Sequence, residues 1–242
     1  MKRFIKTSML ALLVFCCSFI LVACGGTQPL VNVDGNYKGI TSEEYAAVNT
    51  LIENIENETV ESMEFRFKIS QETMDMTLEG VVDQNLNMNF DMTMRVQNES
   101  FKFKVYYDNT ISRAYYDMNG IKVYSAIEDL TGGFDSSSFS LQAIKASIDE
   151  FGELSTEDFT SYMTDTEYEL KIELKTLEDA PIIYLVYDID PEVEGEEGVT
   201  FKGFRFELSN ANGENIMELK ASNKAVTPFD NLDQYVDLGT IE

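Results

Sequence analysis

Leu86-Asn87-Met88-Asn89-Phe90-Asp91-Met92-Thr93-Met94-Arg95-Val96 sets an apolar residue against a polar one at every step. A period of two sustained over this length is a strand with one buried face, because successive side chains leave a pleated backbone on opposite sides. The same period runs outward in both directions. Upstream, Met63, Phe65, Phe67 and Ile69 alternate with Glu64, Arg66 and Lys68, and Met74, Met76 and Leu78 alternate with Asp75 and Thr77. Downstream, Phe101, Phe103 and Val105 alternate with Lys102 and Lys104. Asn119-Gly120, between Ala114-Tyr115-Tyr116 and Ile121-Lys122-Val123-Tyr124, is a two-residue hairpin turn, since both central positions need positive φ. Six antiparallel strands are therefore expected before about Ala126.

Period two returns at Tyr168, Leu170, Ile172 and Leu174, then over 181–189, 199–208 and 217–221, giving four more strands. Within Phe201-Lys202-Gly203-Phe204-Arg205-Phe206 the apolar phase slips by one at Gly203, as a β-bulge makes it do. Two segments carry the helical period instead. Thr41 and Glu44 stand at capping-box spacing, and Tyr45, Val48, Leu51, Ile52 and Ile55 follow on one helical face. Leu141, Ile144, Ile148 and Phe151 mark a second amphipathic helix from about Ser138, with Ser136 to Ser138 as its cap. The stretch 154–163 reads as short helical or irregular, and 228–242 as a weak covering segment. The fold class expected is α+β: a strongly curved antiparallel sheet of about ten strands, a half-barrel, with an N-terminal helix and a helical lid inserted between strands six and seven. A flat open sheet of that width is unusual, so it should curl around its apolar face.

The N-terminus reads as an export signal. Lys2, Arg3 and Lys6 precede a nearly unbroken apolar run from Met9 to Val22, and Leu21-Val22-Ala23-Cys24-Gly25-Gly26 follows. The run is short for a spanning helix, and no charged stop follows it. Removing the first 23 of the 242 residues leaves 219, enough for one domain of fair size. Cys16 and Cys17 leave with the signal, so one cysteine of three remains and no disulfide can form within the mature chain. The organisation expected is a signal peptide over 1–23, a lipidated cysteine and flexible tether over 24–40, and one domain over 41–242.

The chain has no histidine. That removes the usual general base, the commonest zinc ligand and every Ser-His or Cys-His nucleophile pair, and the sequence is not read as an enzyme. With the signal gone, 15 of the 18 basic side chains face 43 acidic ones, a net charge near −28. A polyanion such as nucleic acid is excluded as a partner, because its binding requires clustered Lys and Arg. The densest acidic run, Asp188 to Glu197, fails the calcium-loop register, with Val193 where that loop needs glycine. It reads as a solvated hairpin loop, and no metal or other cofactor is expected.

The lipobox-like Leu21 to Cys24 and the element order together resemble a known group: the open half-barrel of the bacterial LolA and LolB lipoprotein carriers and the LppX-type lipoproteins of mycobacteria. In that group a curved sheet with a helical lid encloses a hydrophobic cavity for acyl chains. The resemblance implies diacylation of Cys24, anchoring at the extracytoplasmic face of the cell membrane, and a lipid or other hydrophobic small molecule as ligand. It includes no motif that places ligand contacts residue by residue. The candidate surface comes from the strand period: Phe65, Phe67, Met74, Met76, Met88, Phe90, Met92, Met94, Phe101 and Phe103, with Ile144 and Ile148 on the lid. Methionine, unbranched and polarizable, suits a surface that must adapt to flexible chains. Methionine also fills irregular cores, so the sequence leaves open a solid-core module whose partner is another envelope protein.

Overall fold

The structure, a computed structural model, describes residues 30–31, 35–97, 99–126, 140–152, 154–173, 181–193, 198–210 and 213–238. The signal, Cys24, Ser136 to Ser138 and the end of the acidic run lie outside the described residues.

Among the described residues there are thirteen strands: β1 (Lys38–Gly39), β2 (Ser62–Gln71), β3 (Met74–Asp83), β4 (Met88–Val96), β5 (Glu99–Asp108), β6 (Arg113–Met118), β7 (Ile121–Ala126), β8 (Phe159–Met163), β9 (Glu167–Glu173), β10 (Ile182–Ile189), β11 (Val199–Asn210), β12 (Gly213–Ser222) and β13 (Val236–Asp237). Helix α1 (Ser42–Asn54) precedes β2, and α2 (Leu141–Asp149) lies between β7 and β8. All strands join one open sheet in the order β1-β8-β9-β10-β11-β12-β2-β3-β4-β5-β6-β7-β13. Neighbours are antiparallel except β13, which runs parallel to β7. The chain thus builds the sheet as two meanders, β2 to β7 and β8 to β12, joined where β12 pairs with β2.

Ten strands was therefore an undercount. Two of the missing three, β1 and β13, are two-residue edges too short to show a period. The third, β8, falls in the stretch read as short helical or irregular. Its Ser155–Asp158 capping box closes one helical turn at Thr156–Asp158, and the chain then extends as a strand from the buried Phe159. With β1 counted, the α2 insertion follows the seventh strand instead of the sixth. The six strands before Ala126 otherwise stand where the period put them. The bulge is real: Val186 faces Gly203 while Tyr187 faces Phe201, so Lys202 is the extra residue. Asn119 and Gly120 take φ of 55° and 89°, the left-handed pair their hairpin turn requires.

Both helices cover one face of the sheet, hereafter the inner face. The first carries the expected capping box, with Glu44 N–H donating to Thr41 Oγ1 at 3.2 Å and Thr41 N–H to Glu44 Oε2 at 2.6 Å. Its Val48 and Ile52, with Ile55 just beyond its end, are buried in the main core. The second is capped by Ser140, a correction to the serines expected, with Ala143 N–H donating to Ser140 Oγ at 3.1 Å. Leu141, Ile144 and Ile148 all point into the same core.

The outer face is polar across its middle and covered at two places. One cross-strand row reads Arg205, Glu218, Arg66, Glu79, Asp91, Lys104, Asp117, Lys122 from β11 to β7. Arg205 pairs with Glu218 and Glu207, and Arg66 with Glu79 at 3.1 Å. The directly opposed Arg205–Glu218 and Arg66–Glu79 pairs support one register over its neighbours. At one end Leu30, Val31 and Tyr37, all in the stretch read as a tether, pack on Tyr184 and Val186 of β10. There the Tyr37 hydroxyl donates to the fully buried Glu169 carboxylate. At the other end Phe229 and Tyr235 of the C-terminal segment pack on Tyr106 and Tyr115, Tyr115 and Tyr235 meeting edge-on at 5.5 Å.

Candidate functional site

The register of β2 to β5 turns the alternating residues into rows that cross the inner face. Starting beneath the helices, the rows are Met63-Val82-Met88-Tyr107, then Phe65-Gly80-Phe90-Val105, then Phe67-Leu78-Met92-Phe103, then Ile69-Met76-Met94-Phe101, and last Gln71-Met74-Val96-Glu99. Every strand residue singled out from sequence lies in one of these rows. They share one side because each sits an even number of residues from its neighbour on its strand, and antiparallel pairing carries that side across the sheet.

Burial divides the rows. In the first two, Met63, Val82, Met88, Phe65, Phe90, Val105 and Tyr107 are all buried, Met88 completely at 0% exposed. Gly80 is part of that packing. A Cβ there would stand 2.3 Å from the Asn89 carbonyl oxygen and 2.8 Å from Phe65 Cζ. The Phe65 and Phe90 rings meet edge-on across it, 5.9 Å apart. Ile144 and Ile148, each 2% exposed, close this end from above.

Away from the helices the cover thins. Phe67, Leu78, Ile69 and Met76 remain buried, but Met92, Phe103, Met94 and Met74 are half-buried, and Phe101 is 38% exposed. Phe206 on β11 is half-buried as well. The named residues therefore do not form one uniform site. Phe65, Phe67, Met76, Met88, Phe90, Ile144 and Ile148 belong to the core, and Met74, Met92, Met94, Phe101 and Phe103 form an apolar surface continuous with it that solvent reaches.

The second meander contributes inner-face residues that were not singled out from sequence. Phe204 and Leu219 are buried, and Tyr187 and Phe201 pack edge-on at 5.9 Å. The Tyr187 hydroxyl is buried with no hydrogen-bond partner among the described residues, and burial holds its pKa far above the ordinary phenol value. Glu58, which follows α1, is also partly buried; burial raises its pKa, against an opposing hydrogen bond to the Phe201 backbone. The alternation in 181–208 marks these strands but cannot say which of their residues meet the helices.

A cleft of about 250 Å³ opens where the start of β2, the β3–β4 turn and the start of α2 converge. Met63, Val82, Leu86 and Leu141 supply its apolar part, and Glu58, Asp83 and Gln142 are among its polar residues. Asp83 is committed to the turn, accepting from the Asn85 and Asn87 backbone at 2.8 and 3.0 Å. The described start of the acidic run forms the β10–β11 connection, where Glu192 N–H donates to Asp190 Oδ1 at 3.0 Å.

No family model and no curated protein matches the chain. Among solved structures it is similar to LprF from Mycobacterium bovis, with a TM-score of 0.42 and 9% identity, covering 79% of this chain and 99% of that one.

Proposed function

We propose that this chain is an extracytoplasmic lipoprotein, anchored to the cell membrane through diacylated Cys24, that binds or transfers a lipid or other hydrophobic molecule without catalysing a reaction on it. The sheet, as a strongly curved half-barrel, presents its inner face to the ligand. The observation that carries this reading is the continuity of that face: apolar rows pass from a closed core under α1 and α2 to a half-exposed surface of Met74, Met92, Met94, Phe101 and Phe103. Contiguous apolar surface left open on a soluble domain marks a binding site more often than an accident of packing. Two acyl chains on Cys24 would hold the domain at the bilayer, where each buried methylene contributes about 0.8 kcal/mol.

The test is Met92→Glu on the soluble domain, read by uptake of a neutral fluorescent lipid and by the melting curve. Met92 stands between Leu78 and Phe103 in the third row, and water already reaches it. The variant should remain folded and lose the probe. Unfolding would instead place Met92 in a solid core, since burying an unpaired carboxylate costs several kcal/mol. A wild-type domain that carries no extractable hydrophobic molecule and takes up no probe at micromolar concentration would replace this reading with an envelope-protein adaptor.

A further inference from the structure

The cations of this protein are distributed by face. On the described strands β2 to β12, every Lys and Arg stands at an outward position or pairs with outward carboxylates. Arg66, Lys68, Arg95, Lys104, Lys171, Lys202 and Arg205 each hold a carboxylate there. Arg113 and Lys122 lie over the outward rings of Tyr124 and Tyr235. Among the described inward positions of the same strands there is one charged residue, Glu99, at the open end of the last row. Among the described residues, the turns bordering that end add the exposed Glu72 and no cation. At the opposite end the cleft beside α2 is lined by Glu58 and Asp83, again without a cation. The α2 lysine, Lys145, is 7% exposed and tied to Asp149 at 2.6 Å and Glu53 at 3.4 Å.

We infer that the inner face selects its ligand by headgroup charge, taking amphiphiles whose headgroup carries no net negative charge and rejecting anionic ones. This rests on the lipid-binding reading above. An acyl chain on the inner rows must put its headgroup at one end of them, and both ends present carboxylates with no cation within the described residues to offset them. An anionic headgroup would also be drawn out of water with no donor of opposite charge to receive it, which is costly. The overall excess of acid over base adds to the same repulsion at long range.

The experiment is displacement of a neutral fluorescent probe from the soluble domain by three ligands with the same palmitoyl chain: monopalmitoylglycerol, its lysophosphatidylcholine counterpart and its lysophosphatidylglycerol counterpart. The first two should compete, and the anionic third should bind about tenfold or more weakly, equivalent to about 1.4 kcal/mol. Raising the salt concentration should narrow the gap, because screening acts on exposed charge. The double variant Glu72→Gln, Glu99→Gln should narrow it too if the headgroup exits at the open end, and Glu58→Gln if it exits at the cleft. Equal affinity for the anionic and neutral ligands would overturn the charge selection while leaving lipid binding intact. Failure of all three to displace the probe, or of the probe to bind, would overturn lipid binding and this inference with it.

Discussion

Met88 and Met94 lie on one strand, six residues apart, with side chains on the same face, and they should respond unequally to the same truncation. Replacing either by alanine removes three heavy atoms. At Met88, flanked by Val82 and Tyr107 and 0% exposed, those atoms leave a cavity that the facing helices cannot fill without shifting. Loss of a fully buried methionine in such a site costs about 2 to 5 kcal/mol. For a domain of this size each kcal/mol moves Tm by about 2 to 4 °C, so Met88→Ala should lower Tm by about 4 to 20 °C. At Met94, between Met76 and Phe101, solvent already covers part of the side chain and no closed cavity forms. Only part of the transfer free energy is lost, about 1 kcal/mol. Its Tm should fall by no more than about 4 °C, while affinity for a neutral fluorescent lipid drops several-fold. Thermal melts followed by circular dichroism, with probe titration of each folded variant, decide the matter. Equal Tm losses for the two variants, with unchanged probe binding by Met94→Ala, would refute the division of the inner face into a closed core and an open binding surface.

Cys24→Ala should abolish acylation and either release the protein from membranes or leave an uncleaved precursor, as fractionation and mass spectrometry of the intact chain would read; a processed, membrane-bound variant without an acyl group would contradict the anchor. Glu58, whose carboxyl is raised chiefly by burial, binds a proton more tightly folded than unfolded. Its contribution to stability is therefore fully present below the unfolded carboxylate range and is lost as pH rises through the folded value. Glu58→Gln should flatten that part of a Tm-against-pH curve, and a curve that keeps the wild-type slope would assign the slope to another group.

Alternation written into single strands carried much of the fold. Each run of period two dictates which residues share a face before any partner strand is known, so the inward set from Met63 to Phe103 could be named from sequence. The capping box at Thr41 and the Asn119-Gly120 turn were legible for a similar reason: their chemistry is confined to a few neighbouring residues. The edges β1 and β13 were not, because a two-residue strand exists only through what it pairs with. Nor was the packing of Leu30, Val31 and Tyr37 on β10, which depends on Glu169 and Tyr184, residues far away in the chain. The candidate site divides along the same line. Met88 and Met94 obey one pattern and look equivalent in sequence, yet one lies under α2 and the other beyond its reach. Burial is set by where a nine-residue helix ends on a sheet much longer than itself, a relation between distant segments that no local period encodes. Local sequence therefore determined the inward face of this protein and its chemistry, and tertiary packing alone decided which part of that face became core and which part remained open to solvent.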